Sequence, residues 1–294
     1  MKNIMIFCSL LVVAFASCSQ DDVPSAKLKV TLDKNEYYVG DTVTFWLDGE
    51  PDNIVFYSGE DGHNYALKDR VYADNDLLVN FTSFVRTGIY KNLQFLVSNN
   101  FNGSYDTENV NAATWQDLSD KVAFSEGADY FPSGEINLKS YASDDNDGYI
   151  YVAFRYLGLE ISQQNTWVIR AITVNKVSPE GTSAELGKMS TMGWKAVDFS
   201  NINTGWTITS AQLLMDGKKE PGNDDWVISK GFKIKESVAD TGVALKNIST
   251  QMTKYQYIYE KAGIYKAVFD TSSNWYSGTK QSLTEVVIEI KEQQ

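Results

Sequence analysis

The sequence predicts an all-β protein with two cores, on three observations. Apolar and polar residues alternate in short runs parted by Gly, Asn, Asp and Ser, the period-two signature of strands closed by turns. No long stretch keeps a 3.6-residue period, so helices should be few and short, with Thr182 to Met192 the best candidate. At 294 residues and 43% hydrophobic content, the chain has the length and apolar mass for about two domains of roughly 100–200 residues each.

The first element is not part of the fold. Met1-Lys2-Asn3 supplies a positive start, and Ile4 to Ala16 is apolar apart from Cys8 and Ser9. That reads as a signal peptide over residues 1–17, too short for a comfortable membrane span. It ends in Phe15-Ala16-Ser17-Cys18, which resembles the bacterial lipobox; the resemblance implies that Cys18 is acylated and becomes the mature N-terminus, with residues 18–26 as a lipidated tether. Several acyl chains, at about 0.8 kcal/mol per buried methylene, would make attachment lasting. Ser19-Gln20-Asp21-Asp22 resembles the acidic export signal of Bacteroides-type lipoproteins, which implies the outer face of the outer membrane. The formal net charge of −12 disfavours nucleic acid and anionic lipid as partners. With Cys8 removed and Cys18 acylated, no thiol remains for disulfides or zinc.

Leu28 to Lys68 reads as a strand, the turn Tyr38-Val39-Gly40-Asp41, a second strand in which Val43, Phe45 and Leu47 alternate with polar positions, and a third at Asn53 to Ser58. This resembles the opening half of an immunoglobulin-like domain of the polycystic-kidney-disease type, where "Y-x-V-G-D-T-V-T-F" is typical. The matching close, "Y-x-K-A-G-x-Y-x-V", comes only at Tyr259 to Val268, followed by a last strand at Leu283 to Lys291. Residues 27–68 plus 238–292 therefore read as one discontinuous immunoglobulin-like sandwich, together near the roughly 100 residues such a fold needs. Two or three complete sandwiches in a row are the alternative.

Residues 70–236 would then be an inserted domain. Strand-like runs occur at Leu77 to Val85, Leu93 to Ser98, Thr114 to Phe124, Ile136 to Leu138, Tyr149 to Tyr156, Thr166 to Val174 and Trp206 to Leu214; their number suits a jelly roll. The runs V-S-N-N-F-N-G (97–103), A-A-T-W-Q-D-L-S-D (112–120), S-G-E-I-N-L (133–138), I-Y-V-A-F-R-Y (150–156), T-W-V-I-R (166–170) and D-T-G-V-A-L-K (240–246) resemble a Bacteroides lipoprotein family defined as domain of unknown function 5017. The resemblance runs in order along nearly all of the mature chain. It implies an accessory protein of a polysaccharide-uptake system, with a middle domain like the carbohydrate-binding, galactose-binding-like jelly rolls.

Candidate sites are weighed against structural explanations. The single histidine, His63, lies in the turn Glu60-Asp61-Gly62-His63-Asn64, a poor support for a triad or metal centre. Ser143 to Gly148 places Asp144, Asp145 and Asp147 at calcium-loop spacing, but the twelfth position is Phe154, where an EF-hand needs Glu. A hairpin turn explains the same residues; Asn99, Asn100, Asn102 and Asp106 form a weaker second cluster. Cofactors are therefore expected to be none, with room for a structural calcium ion. Aromatics make up 13% of the chain, and sugars are held against flat rings with polar groups at their edges. Trp115 and Trp167 read as core. Trp275 and Tyr276, in the loop sequence Asn274 to Gly278, are the first glycan-binding candidates; Trp194, Trp206 and Trp226 are the candidates on the inserted domain.

The function expected is that of a non-enzymatic, surface-exposed lipoprotein that captures a polysaccharide or oligosaccharide for an outer-membrane uptake complex and touches the membrane by its lipid alone. An adhesive or structural surface protein contacting other proteins is the alternative from another class. Glycoside hydrolysis, which needs a carboxyl pair across a cleft, comes third, because 38 acidic residues do not single out a pair.

Overall fold

The structure is a computed structural model, and it describes residues 22–88, 91–144, 148–160, 164–200, 205–216 and 221–293. Cys18, Asp145 and Asp147 lie outside the described residues. The chain is nearly all β and divides into two compact units, residues 1–69 with 240–294 and residues 70–239. Among the described residues no helix is long and apolar enough to cross a membrane.

The first unit is a two-sheet sandwich. In one sheet Thr42–Asp48 lies between Lys29–Leu32 and Lys254–Ile258. The other runs Val243–Lys246, Asn53–Tyr57, Gly263–Trp275, Gly278–Lys291 and Tyr37–Tyr38, the last pairing parallel to its neighbour. First strand beside second in one sheet, and third between the late strands of the other, is the order of an immunoglobulin-like sandwich. Alternation builds the core: Val43, Phe45 and Leu47 face inward while Trp46 between them is exposed. Phe45, Phe56 and Phe269 meet with ring centroids 5.1–5.5 Å apart. The turn after Tyr38 closes with the Asp41 N–H on the Tyr38 carbonyl, and Gly40 supplies the left-handed residue it requires, at φ +84°.

The second unit is also a two-sheet antiparallel sandwich. One sheet runs Lys195–Asp198, Asp224–Ile228, Tyr149–Leu157, Leu93–Ser98 and Gln116–Asp117, with Phe232–Lys233 beside Tyr149–Leu157. The other runs Trp206–Ile208, Gln212–Asp216, Thr166–Val177, Asp76–Arg86 and Phe131–Pro132, with Ser183–Lys188 and Ile136–Asn137 adding short pairs. Between the sheets Phe81, Phe95 and Phe154 pack at 5.0–5.5 Å. The outer face of the first of these sheets is covered too. Phe101, Val110, Trp115 and Trp226 close over Ala153, which is why Ala153 is buried on the face opposite Val152 and Phe154.

Three local readings are corrected. Thr182 to Met192 is not a helix: Ser183–Lys188 is a strand laddered on Thr166–Val177, and only Met189–Thr191 turns as a short 3-10 segment. Pairing to a neighbour outweighed local propensity there. Thr114 to Phe124 forms a strand only at Gln116–Asp117 and is otherwise a loop. The run from Trp206 breaks at residues 209–211 into the hairpin Trp206–Ile208 and Gln212–Asp216, where the Thr209 hydroxyl accepts from the Gln212 N–H.

Candidate functional site

The second unit carries a cleft of about 750 Å³, within the roughly 300–1,000 Å³ range of small-ligand sites. Its floor is apolar: Leu93, Val122, Phe124, Phe131 and Trp167. Trp167 faces the core by strand alternation and donates its Nε1–H to Asn92 Oδ1 at 2.9 Å. Phe124 packs edge-on against it, centroids 5.8 Å apart. Phe131 comes from the two-residue edge strand that pairs with Thr82 and Ser83.

The rim is polar and comes mainly from the loop that replaces the expected strand. That loop is fastened to the sheet at Leu118, whose N–H donates to the Phe95 carbonyl at 2.8 Å. The Ser119 hydroxyl accepts from the Phe95 N–H at 2.9 Å. At the other end the Ser125 N–H donates to Ser83 Oγ at 2.9 Å. Asp117, Ser119, Asp120, Ser125 and Glu126 thus join Lys91 and Gln94 as the polar lining. Gln94 Nε2 donates to Asp117 Oδ2 at 2.7 Å, which leaves Gln94 Oε1 buried without a partner. Three carboxylates against one ammonium give the rim a negative balance.

The five aromatic candidates are placed differently from one another. Trp194 and Trp206 belong to the main core, Trp194 against Phe154 at 6.0 Å and Trp206 with its Nε1–H on the Asp225 carbonyl at 3.0 Å. Trp226 is buried between Trp115 and Phe199, with the Arg155 guanidinium 5.0 Å over its ring. These placements correct the expectation for all three: each ring is spent on packing and offers no free face to a ligand.

Trp275 and Tyr276 are exposed, by 41% and 80%. Trp275 pairs with Gly278, so Tyr276 and Ser277 form the turn of the long hairpin Gly263–Trp275 and Gly278–Lys291. The described segment from Val23 to Leu28 lies along this hairpin. Thr284 Oγ1 bonds the Leu28 carbonyl at 2.6 Å, Thr271 Oγ1 the Ala26 carbonyl at 2.6 Å, and Lys280 Nζ the Val23 carbonyl at 2.5 Å.

The calcium candidates are otherwise engaged. Asp144, the one described member of the three aspartates, pairs with Lys235, which holds its carboxyl below the usual range. Asp106 caps the helix Thr107–Ala112 through the Asn109 N–H at 2.9 Å, which lowers its pKa in turn. Asn100 Oδ1 accepts from the Thr114 N–H, and Asn102 Oδ1 from the Ser104 N–H. His63 fastens its turn through Nδ1 to the Thr241 carbonyl at 2.7 Å. Among the described residues no group of three or more His, Cys, Asp or Glu is placed to hold a metal ion.

Sequence reasoning missed Phe131, Gln94 and the Asp117–Asp120 rim. The available signal was Trp115 to Phe124, where polar residues at 116, 117, 119, 120 and 121 break the alternation of a strand. The model of a family described as Domain of unknown function (DUF5017) matches residues 17–194, which include every residue of the cleft but stop short of the run at 240–246. No curated protein and no solved structure matches the chain.

Proposed function

The chain belongs to the DUF5017 family, and on that premise we propose that it is a lipid-anchored surface protein whose second unit binds a neutral polysaccharide or oligosaccharide in the cleft where Phe124 and Phe131 present half-buried rings above the buried Trp167. The observation that carries the reading is the pairing of that floor with a rim of hydroxyl, amide and carboxylate groups. A sugar presents an apolar ring face and a girdle of hydroxyls, the complement of such a site. Gln94 Oε1, buried and unpartnered, is an acceptor that a sugar hydroxyl would satisfy. Asp117, Asp120 and Glu126 disfavour uronic or sulfated glycans by like-charge repulsion.

The cleft is preferred over Trp275 and Tyr276 because it combines aromatic faces with polar edges in one concavity, whereas those two stand exposed at the end of a hairpin. Capture for an outer-membrane uptake complex would need no turnover.

Affinity electrophoresis of residues 19–294 in gels cast with neutral and acidic glycans tests the reading. Retardation by a neutral glycan without its degradation is expected, reduced by Phe131→Ala and by Gln94→Ala and unaffected by Trp275→Ala. Retardation by none would favour a surface protein that contacts other proteins. Degradation of the glycan would favour a hydrolase.

A further inference from the structure

The second unit sets a half-buried carboxyl, Asp198, against a fully buried one, Asp225. Asp198 and Asp225 are direct partners in the antiparallel ladder between Lys195–Asp198 and Asp224–Ile228, so their side chains leave the same face of the sheet. It is the inner face: Val227, two residues beyond Asp225, lies in the main core, while Val197 and Trp226 lie in the outer cluster. Asp225 is 0% exposed, and the side chain against its carboxylate oxygens is the Asp198 carboxyl, whose Oδ1 is buried too; neither group meets an amide, hydroxyl or cationic donor there. Asn223 is a third and separate case. It is 2% exposed, and both its amide oxygen and its amide nitrogen lack partners. Its carbonyl accepts from the Gly158 N–H at 2.7 Å, which continues the ladder by one pair and sets its side chain on the face of Asp225.

No side chain resolves this arrangement. Arg155, the cation on the adjoining strand, makes a two-point contact with Asp224 on the outer face, at 2.8 and 2.7 Å. Like charges opposed in a ladder destabilise it, and a buried acceptor without a donor forfeits the hydration it had in the unfolded chain. A proton shared by the two carboxyls relieves the repulsion in part: burial first, then the Asp198 charge, pushes the Asp225 carboxyl up to about 8. A shared proton still leaves the Asn223 oxygen and further carboxylate oxygens unserved. A divalent cation would take them together.

We propose that Asp198, Asp225 and Asn223 form a buried calcium site, distinct from the turn at Asp144 and from the glycan cleft. The donors are all hard oxygens, with no sulfur or imidazole among them, which suits Ca²⁺ over zinc or copper. Two carboxylates able to bind through both oxygens, with an amide oxygen, supply most of the six to eight ligands that Ca²⁺ takes; backbone carbonyls or waters complete the shell. Mg²⁺, which demands a tight octahedron and keeps its waters, fits this set less well. The ion would tie the end of Lys195–Asp198 to the start of Asp224–Ile228, so its role is structural.

The test uses the mature chain stripped with EGTA. Equilibrium dialysis against ⁴⁵Ca²⁺ should find one ion per chain, and CaCl₂ at 100 times the dissociation constant should raise Tm by about 5–10 °C, reversed by EGTA. Asp225→Asn and Asp198→Asn, near-isosteric changes, should each weaken binding at least about tenfold by removing ligand charge, and Asp144→Asn should leave it intact. The proposal is overturned if the wild type binds no Ca²⁺ and melts alike with and without EGTA. It is overturned too if the Asp225 and Asp198 variants, folded by circular dichroism, bind as the wild type does, or if Asp144→Asn alone abolishes binding. The wild-type titration decides the matter should a variant fail to fold.

Discussion

Phe131 contributes its ring to the cleft from an edge strand of two residues, and it is half-buried, so its contribution to binding can be separated from its contribution to the fold. Phe131→Ala should cost about 1–2 kcal/mol of stability, below the roughly 3–5 kcal/mol of a fully buried aromatic truncation. It should lower glycan affinity about tenfold or more, by loss of stacking surface, read by isothermal titration at equal folded fraction. Trp194→Ala is the contrast. Its ring lies inside the main core against Phe154, so urea denaturation should show a loss of about 3–5 kcal/mol, with glycan affinity of the folded fraction unchanged. These two residues also mark what the sequence could reveal at this scale. A Trp beside Gly193 and Lys195 looks like a loop aromatic, yet its ring turns inward, and direction is a property of the neighbouring strands. Phe131, next to a proline, carried no sign that it would meet Phe124 and Trp167, because the three come together only across the sheet.

Strands were legible where both faces met consistent surroundings. Ile150, Val152, Phe154 and Tyr156 are all buried, as their alternation indicates, and Leu93–Ser98 falls at the bounds its pattern suggests. The loop at residues 114–124 was misread because its apolar residues, Trp115, Leu118, Val122 and Phe124, pack on two different clusters; spacing alone does not distinguish that from a strand. At this scale belongs a prediction on the ladder between Lys195–Asp198 and Asp224–Ile228. Asp225 has its pKa raised to about 8 in the folded chain, against about 3.9 in an unfolded one. The folded state therefore binds the extra proton between those values, so this group's contribution is fully present below pH about 4 and is lost as pH rises through about 8. In EGTA, wild-type stability should thus fall relative to Asp225→Asn between pH 5 and pH 8, measured by urea denaturation at both. Equal slopes for the two chains would show that Asp225 has an ordinary pKa.

For the whole molecule, the expected address rests on a lipid at Cys18. Replacing Cys18 by Ala should abolish labelling by radioactive palmitate and move the protein from the membrane to the soluble fraction; membrane retention of an unlabelled Cys18→Ala chain would count against the lipid anchor. The fold class could be read from alternation and turn chemistry because those act over a few residues. The cleft could not, since residues 91–94, 117–131 and 167 are joined by sheet pairing and not by spacing. Hydrogen–deuterium exchange on the intact chain, with and without a retarding neutral glycan, tests the central claim most directly. Protection confined to residues 91–94 and 117–131 and to the strand carrying Trp167 is the predicted result; protection at residues 274–278, or none in the second unit, would contradict it.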